Sequence, residues 1–217
     1  MSELPPTEPT VFLVDDDDAV RDALATLLGT VDLRVREYGD PLTFLAQLDR
    51  EAIGCLILDV RMPHVSGLHL QEQLTREGVD LPVIVMTGHG DIDVCRRAFK
   101  AGAVEFLTKP VDELALLEAT GLGIRTHLAR RSRQAAAREA REALAGLSAR
   151  EREVLRLIVD GASNKQAART LGISARTVET HRASILGKLG VASLAQLVRV
   201  YLASVGDSAG ASAGEGP

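Results

Sequence analysis

The sequence predicts an α/β domain, then a long helix and a small all-α domain. In the first half, short apolar runs alternate with segments of helical spacing, which is typical of a parallel sheet with helices on both faces. The Ala-, Arg- and Glu-rich segment over 129–146 keeps helical character. Beyond it, four short helical segments are separated by tight turns, which indicates a compact helical domain.

Five apolar runs are the predicted strands of the first domain. They are TVFLV (10–14), LRVREY (33–38), CLILD (55–59), PVIVMT (82–87) and VEFLT (104–108). The first, third and fourth runs are apolar almost throughout, which favours central strands, whereas LRVREY alternates and favours an edge. Helical spacing near 18–29, 41–50, 67–77 and 91–101 supplies the helices between the strands.

Capping signals delimit the helices of the second domain. Ser148 and Glu151, and again Ser163 and Gln166, stand at the spacing of a capping box. Gly172 follows the second of these helices, where a glycine commonly ends a helix. The predicted boundaries are 10–125 for the first domain, 126–146 for a helical linker, 147–204 for the second domain and 205–217 for a disordered Gly-, Ala- and Ser-rich tail.

Composition and charge limit the function. The chain lacks a run of about 18 uncharged apolar residues, and its start lacks the pattern of a signal peptide, so we expect a cytoplasmic protein. Cys55 and Cys95 lack metal-ligand spacing and are predicted to be free thiols. The net charge of −5 combines an acidic first half with a basic stretch over 148–204, which indicates a bound cation in the former and nucleic acid at the latter.

Polar residues stand at the carboxyl ends of the predicted strands. Asp15 and Asp16 follow the first strand, Asp59 ends the third, Thr87 ends the fourth and Lys109 follows the fifth. Ligands of open parallel sheets bind outside these strand ends, so we expect the five residues to converge. Three carboxylates form an all-oxygen set that suits Mg²⁺, and the lysine and hydroxyl could hold a phosphoryl oxygen.

The four consecutive aspartates are predicted to divide into two pairs. Asp15 and Asp16 belong to the cation site, because they coincide with polar residues at the other strand ends. Asp17 and Asp18 instead begin the helix that follows, where a carboxylate favours the helix dipole and one of them can serve as the N-cap. Removing Asp16 should therefore cost Mg²⁺ affinity severely, and removing Asp18 should not.

Four segments resemble the receiver domain of two-component response regulators over residues 10 to about 125. They are VFLVDDDDAVRDAL, LILDVRMPHVSGL, VIVMTGHGD and AGAVEFLTKP. The resemblance implies a flavodoxin-like (βα)₅ fold in which Asp59 accepts a phosphoryl group from a sensor histidine kinase. It also implies Mg²⁺ bound by Asp16, Asp59 and the main-chain carbonyl of Arg61, with Asp15 acting partly through water, phosphoryl contacts from Thr87 and Lys109, and a switch aromatic at Phe106.

The resemblance carries two further expectations near this site. The peptide bond between Lys109 and Pro110 is expected to be cis. His64 stands where the family usually has glycine. That histidine could alter access to the site or the lifetime of the phosphoryl group, or it could be an exposed bystander.

The segment SARTVETHRASILGKLG (174–190) has the pattern of a recognition helix. On a helical wheel Val178, Ile185 and Leu189 share a core stripe, and the opposite side carries polar and small side chains. The segment NKQAARTLGIS before it, with Gly172 in the turn, completes a plausible helix-turn-helix. From spacing alone, an ordinary helical hairpin with a solvated charged face fits equally well.

Residues 144 to about 204 closely resemble the LuxR-type DNA-binding domain, in the stretch LSAREREVLRLIVDGASNKQAARTLGISARTVETHRASILGKLGV. A receiver followed by this domain is the arrangement of the FixJ/NarL response regulators, and the long helical connector resembles the styrene- and toluene-responsive subgroup. The resemblance implies a recognition helix near 174–189, dimeric binding to inverted repeats in promoter DNA, and RNA polymerase as a partner. The predicted DNA-contacting residues are Asn164, Lys165, Arg176, Thr177, Glu179, Thr180, Arg182, Ala183 and Lys188.

The favoured hypothesis is a transcription factor that forms a homodimer on phosphorylation. It is not an enzyme in the ordinary sense, since the receiver catalyses only its own phosphoryl transfer and dephosphorylation. One alternative is an Mg²⁺-dependent phosphatase or phosphotransferase that uses Asp59 as its nucleophile, but tight loops leave little room for a substrate pocket. Another alternative is constitutive DNA binding with a vestigial acidic site, which the complete acidic set argues against.

Overall fold

A computed structural model describes residues 8–88 and 92–205, which fall into two compact units divided between Arg130 and Arg131. The first unit holds β1 (Thr10–Val14), α1 (Asp18–Gly29), β2 (Arg34–Tyr38), α2 (Pro41–Gln47), β3 (Gly54–Asp59), α3 (Gly67–Arg76), β4 (Val83–Thr87), α4 (Ile92–Lys100) and β5 (Glu105–Thr108). Helix α5 (Glu113–Ala145) begins in the first unit and ends in the second. The second unit continues with α6 (Ala149–Val159), α7 (Asn164–Leu171), α8 (Ala175–Lys188) and α9 (Leu194–Val205).

The five strands form one parallel sheet in the order β2-β1-β3-β4-β5. This order confirms the predicted fold class, with β1, β3 and β4 inside the sheet and the alternating β2 at an edge. Residues of β1 divide between the two faces with period two. Phe12 and Val14 pack into one apolar cluster, and Val11 and Leu13 pack into the other. Burial on both faces explains the near-continuous apolar character of the central strands.

Helix boundaries follow the local polar chemistry. Asp17 is the N-cap of α1, and its carboxylate accepts hydrogen bonds from the backbone of Ala19 and Val20. Helix α2 ends at Gln47, three residues before the predicted end. The Asp49 carboxylate accepts a hydrogen bond from the Glu51 N–H at 2.9 Å, which stabilises a turn in place of another helical turn.

Helix α5 runs through the predicted linker without interruption. His127 lies within that linker range, yet it is 2 % exposed, and its Nδ1 is 3.0 Å from the carbonyl oxygen of Gly54. Its side chain is therefore part of the packing of the first unit. Within the described residues, no helix is both long enough and apolar enough to span a bilayer.

The second unit has its own core and the predicted caps. Both capping boxes form at the starts of α6 and α7, and Gly172 ends α7 in the left-handed region with φ 65°. Val178 and Ile185 of α8 are fully buried in the core of this unit. Of the tail predicted over 205–217, Val205 ends α9 and the rest lies outside the described residues.

Candidate functional site

The carboxyl edge of the sheet gathers a lysine and two buried carboxylates. Asp15 and Asp59, at the ends of β1 and β3, are 0 % and 3 % exposed. The Lys109 ammonium lies between them, with Nζ 2.5 Å from Oδ2 of Asp15 and 2.7 Å from Oδ1 of Asp59. We call these three residues the Lys109 cluster. Thr87, 2 % exposed, ends β4, and its carbonyl accepts a 2.7 Å hydrogen bond from the Lys109 N–H.

Backbone donors complete the Lys109 cluster. Oδ1 of Asp15 accepts a hydrogen bond from the Asp17 N–H at 3.1 Å, and Oδ2 of Asp59 accepts one from the Arg61 N–H at 2.6 Å. Each carboxylate oxygen therefore has one N–H donor. The Asp15 carboxylate therefore stabilises the loop after β1, and the Asp59 carboxylate stabilises the loop after β3.

Burial and hydrogen bonds have opposite effects on the pKa values of Asp15 and Lys109. Desolvation raises the pKa of the Asp15 carboxyl, although the hydrogen bond from Lys109 opposes the rise. Burial lowers the pKa of Lys109, but its hydrogen bonds to Asp15 and Asp59 outweigh that effect and raise it overall. The ammonium thus stays charged, and a single cation faces two carboxylates.

The other predicted site residues stand around this cluster. Asp16 is exposed, and among the described residues no hydrogen bond or ion pair engages its carboxylate. The guanidinium of Arg61 lies beside Gly88, since a methyl group built on Gly88 would be 3.2 Å from its Nη2. Phe106 is half-buried and packs against the core on one face of the sheet.

The donor set suits Mg²⁺ without forming a finished cage. Within the described ranges, no three acidic, histidine or cysteine side chains already form a metal-binding group. Mg²⁺ commonly binds through one or two carboxylates and keeps several waters, so such a cage is not required. The oxygen-only chemistry and the free Asp16 carboxylate therefore fit that ion.

Sequence reasoning missed one glycine that shapes this site. Gly67 opens α3, and a Cβ atom there would lie 2.0 Å from the carbonyl oxygen of Asp59. Only a glycine allows the helix to approach the end of β3 so closely. The available signal was a glycine at the start of a helical pattern. Nearby, His64 has φ 68°, so the backbone keeps the left-handed conformation that favours glycine.

The Lys109–Pro110 peptide bond is cis, as the resemblance implied. Cys55 and Cys95 are both free, and burial raises the pKa of the Cys55 thiol to about 12. Neither thiol belongs to the Lys109 cluster.

In the second unit, three predicted DNA-contacting residues form one polar network. Oδ1 of Asn164 in α7 accepts a hydrogen bond from Nη1 of Arg182 at 2.7 Å. Its Nδ2 donates to Oε1 of Glu179 at 3.3 Å. The Asn164 amide therefore holds a cation and a carboxylate of α8 on the same side of that helix.

A second network joins α8 to the start of α6. Glu151 is almost buried, and its carboxylate accepts hydrogen bonds from Lys188 Nζ at 2.8 Å, Ser184 Oγ at 2.7 Å and the Ser148 N–H at 2.7 Å. We call this the Glu151 cluster. Hydrogen bonds, led by that from Lys188, lower the pKa of Glu151 to about 2. The sequence predicted Glu151 only as a capping residue, because its contacts with α8 depend on how two helices pack.

The remaining predicted DNA-contacting residues are exposed. They are Lys165, Arg176, Thr177, Thr180 and Ala183. Oγ1 of Thr180 donates to the carbonyl of Arg176 at 3.0 Å within α8. The exposed side of α8 thus combines basic side chains with short ones.

Comparison with known proteins assigns both units to families. The model described as the response regulator receiver domain matches residues 11–120, and that of the bacterial regulatory proteins of the luxR family matches residues 145–201. The chain is 45 % identical over 199 residues to the transcriptional regulatory protein FixJ of Azorhizobium caulinodans, covering 88 % of this chain and 91 % of that protein. It is 43 % identical over 190 residues to the response regulator protein TodT of Pseudomonas putida, covering 88 % and 84 %.

Solved structures agree with this assignment. The low-resolution structure of the response regulator StyR is similar with a TM-score of 0.78 and 44 % identity, over 89 % of this chain and 98 % of that one. Full-length FixJ from B. japonicum is similar with a TM-score of 0.57 and 36 % identity, over 91 % and 98 %. These matches confirm the predicted resemblance. The chain belongs to the two-component response regulators that join a receiver domain to a luxR-family DNA-binding domain and regulate transcription.

Proposed function

We propose that a sensor histidine kinase phosphorylates Asp59 in the presence of Mg²⁺, and that phosphorylation controls DNA binding by the second unit. The Lys109 cluster is the observation that carries this proposal. The Asp59 carboxylate, the proposed nucleophile at the carboxyl edge of the parallel sheet, has its Oδ1 2.7 Å from Nζ of Lys109. The same ammonium can then contact an oxygen of the incoming phosphoryl group.

The chemical step transfers a phosphoryl group between two side chains. A carboxylate oxygen of Asp59 attacks phosphorus, the P–O bond forms, and the P–N bond to the kinase histidine breaks with its electron pair returning to the imidazole. Lys109 then contacts a phosphoryl oxygen instead of the Asp59 carboxylate, and the hydroxyl of Thr87 contacts another. Hydrolysis of the acyl phosphate at the same site resets the protein.

Mg²⁺ would be held by Asp16, Asp59 and the main-chain carbonyl of Arg61, with Asp15 acting partly through water. The ion would neutralise charge that builds on the transferring group. The unpaired Asp16 carboxylate supports this arrangement, and so does the charge of the cluster, because Lys109 alone cannot balance two carboxylates and a phosphoryl group.

The proposed output is a change in dimerisation or domain arrangement. Movement of Thr87 towards the phosphoryl group and of the Phe106 ring would form a two-state element that phosphorylation biases. Two copies of the second unit would then place α8 in successive major grooves of promoter DNA. RNA polymerase at that promoter would be the partner through which transcription is controlled. Arg176, Arg182 and Lys188 would contact phosphates, and Thr180 and Ala183 would face base edges.

Labelling with acetyl phosphate tests the phosphorylation step. In the presence of Mg²⁺, the wild-type protein should be labelled and Asp59→Asn should not. Asp22→Asn is the matched control, because Asp22 is an exposed carboxylate on α1. Undiminished labelling of Asp59→Asn would contradict the proposal. Light scattering with and without beryllofluoride, a phosphoryl mimic, tests dimerisation separately.

A further inference from the structure

Arg21 makes two contacts with the run of four aspartates at the start of α1. Its side chain is 14 % exposed, and Nη1 donates to the main-chain carbonyl oxygen of Asp15 at 2.6 Å. Nη2 of the same guanidinium forms an ion pair with the exposed carboxylate of Asp18. Arg21 therefore joins the first turn of α1 to the end of β1.

The guanidinium also packs against the turn that follows β2. A methyl group built on Gly39 would lie 3.5 Å from Nη1 of Arg21, at ordinary contact distance. One residue earlier, the carbonyl oxygen of Tyr38 accepts a hydrogen bond from the Asp15 N–H at 3.2 Å. Both backbone polar groups of Asp15 are thus held, the N–H by Tyr38 and the carbonyl by Arg21.

The same contacts give each of the four aspartates a different environment. Asp15 binds Lys109, Asp17 caps α1 and Asp18 pairs with Arg21. Asp16 follows the carbonyl that Arg21 holds, and its carboxylate is left for a ligand. Rotation of the peptide between Asp15 and Asp16 would change the direction in which that carboxylate leaves the backbone.

We propose that Arg21 is a positioning residue that fixes the Asp15–Asp16 peptide and thereby presents the Asp16 carboxylate to Mg²⁺. The inference rests on the proposed Mg²⁺-dependent function and assigns a role to a side chain that need not touch the metal. Groups that orient metal ligands from behind typically contribute 10- to 100-fold to metal affinity. The essential contact is the hydrogen bond to the carbonyl, not the surface ion pair with Asp18, which should contribute little.

Magnesium titration of the full chain, followed by backbone amide resonances, tests the role of Arg21. Arg21→Ala should raise the dissociation constant for Mg²⁺ about tenfold. Arg21→Lys keeps the charge but loses the planar donor, so its constant should also rise. Asp18→Asn removes the ion pair and leaves the carbonyl contact, so its constant should stay near that of the wild type. Without metal, the Asp15 amide, which donates to the Tyr38 carbonyl, should exchange with solvent faster in Arg21→Lys than in Asp18→Asn.

Each result has a distinct meaning. Wild-type affinity in Arg21→Lys, or equal weakening in Asp18→Asn, would show that Arg21 supplies only charge and would overturn the inference. Asp16→Asn is the control for the site itself. If that variant binds Mg²⁺ as tightly as the wild type, the proposed metal site fails, whatever Arg21 does. Should Arg21→Ala not fold, the Arg21→Lys and Asp18→Asn pair decides the question.

Discussion

The Lys109 cluster and the Glu151 cluster both pair a lysine with a buried carboxylate, but they differ in the balance of charge between acid and base. In the first, one ammonium faces Asp15 and Asp59, and burial raises the pKa of Asp15. In the second, one carboxylate receives Lys188, a serine hydroxyl and a backbone N–H, and the pKa of Glu151 falls to about 2. The first cluster has two carboxylates for one ammonium, and the second has one carboxylate for one ammonium.

This difference agrees with the proposal that the Lys109 cluster reacts, and it gives the Glu151 cluster a structural role. Two carboxylates that share one lysine at the carboxyl edge of a sheet can exchange it for a cation or a phosphoryl group. A carboxylate saturated with donors has nothing to exchange, so it fixes the packing of α6 against α8 instead. The position of α8 therefore depends on Glu151, which lies outside that helix.

Removing the lysine of the unbalanced cluster should have the largest effect. Lys109→Ala leaves two buried carboxylates without their cation, so the free energy of unfolding of the first unit should fall by about 3 kcal/mol at neutral pH. Urea unfolding followed by resonances of β1 and β3 measures the loss. Lys100→Ala is the matched control, since Lys100 is an exposed lysine on α4 and should change the stability little.

A second substitution sharpens this prediction. Asp15→Asn in the Lys109→Ala background removes one of the uncompensated charges and should recover part of the lost stability. No recovery would mean that the loss reflects packing of the lysine stem, and the charge imbalance would not be the cause.

The sequence predicted the residues of the Lys109 cluster because of a general property of parallel sheets. Residues at the ends of neighbouring strands share an edge, so Asp15, Asp59 and Lys109 could be placed together without coordinates. The hydrogen bond from Arg21 to a carbonyl could not be predicted, because it depends on a rotamer. The Glu151–Lys188 pair joins residues 37 positions apart, and it depends on the packing of two helices.

The Glu151 cluster should make the stability of the second unit depend on pH in the acid range. Because the folded pKa of Glu151 is depressed from 4.5 to about 2, its stabilisation is complete above pH 4.5 and is lost as the pH falls towards 2. Glu151→Gln should therefore be less stable than the wild type at neutral pH, and the difference should shrink as the pH falls through that window. Urea unfolding of the second unit between pH 2 and pH 7, followed by resonances of α6 and α8, measures this convergence.

Glu153→Gln provides the control for Glu151→Gln. Glu153 is also on α6, but its carboxylate is half-exposed and pairs with Arg150 at the surface. Its substitution should leave the acid response nearly unchanged. A parallel difference from the wild type at every pH for Glu151→Gln would mean that its charge does not stabilise the fold.

A smaller effect is expected at the polar network of Asn164. Arg182→Ala should weaken DNA binding and reduce the slope of log affinity against log salt by about 1, because one phosphate contact is lost. Fluorescence anisotropy with a labelled duplex of random sequence measures this slope. Arg199→Ala removes an exposed arginine on α9, outside the predicted DNA-contacting residues, and should leave the slope unchanged. An unchanged slope in Arg182→Ala would remove that residue from the phosphate contacts.

Lys188 offers the smallest expected effect and the sharpest use of the comparison. Its role as a DNA contact remains a prediction, and its ammonium already lies 2.8 Å from a carboxylate oxygen of Glu151. A lysine that stays paired with Glu151 neutralises less phosphate charge and releases fewer counterions from the duplex. Lys188→Ala should therefore change the salt slope less than Arg182→Ala. In Glu151→Gln the Lys188 ammonium loses its charged partner. Adding Lys188→Ala to that variant should therefore change the salt slope more than Lys188→Ala does in the wild type. Equal changes in the two backgrounds would show that Lys188 serves DNA independently of Glu151.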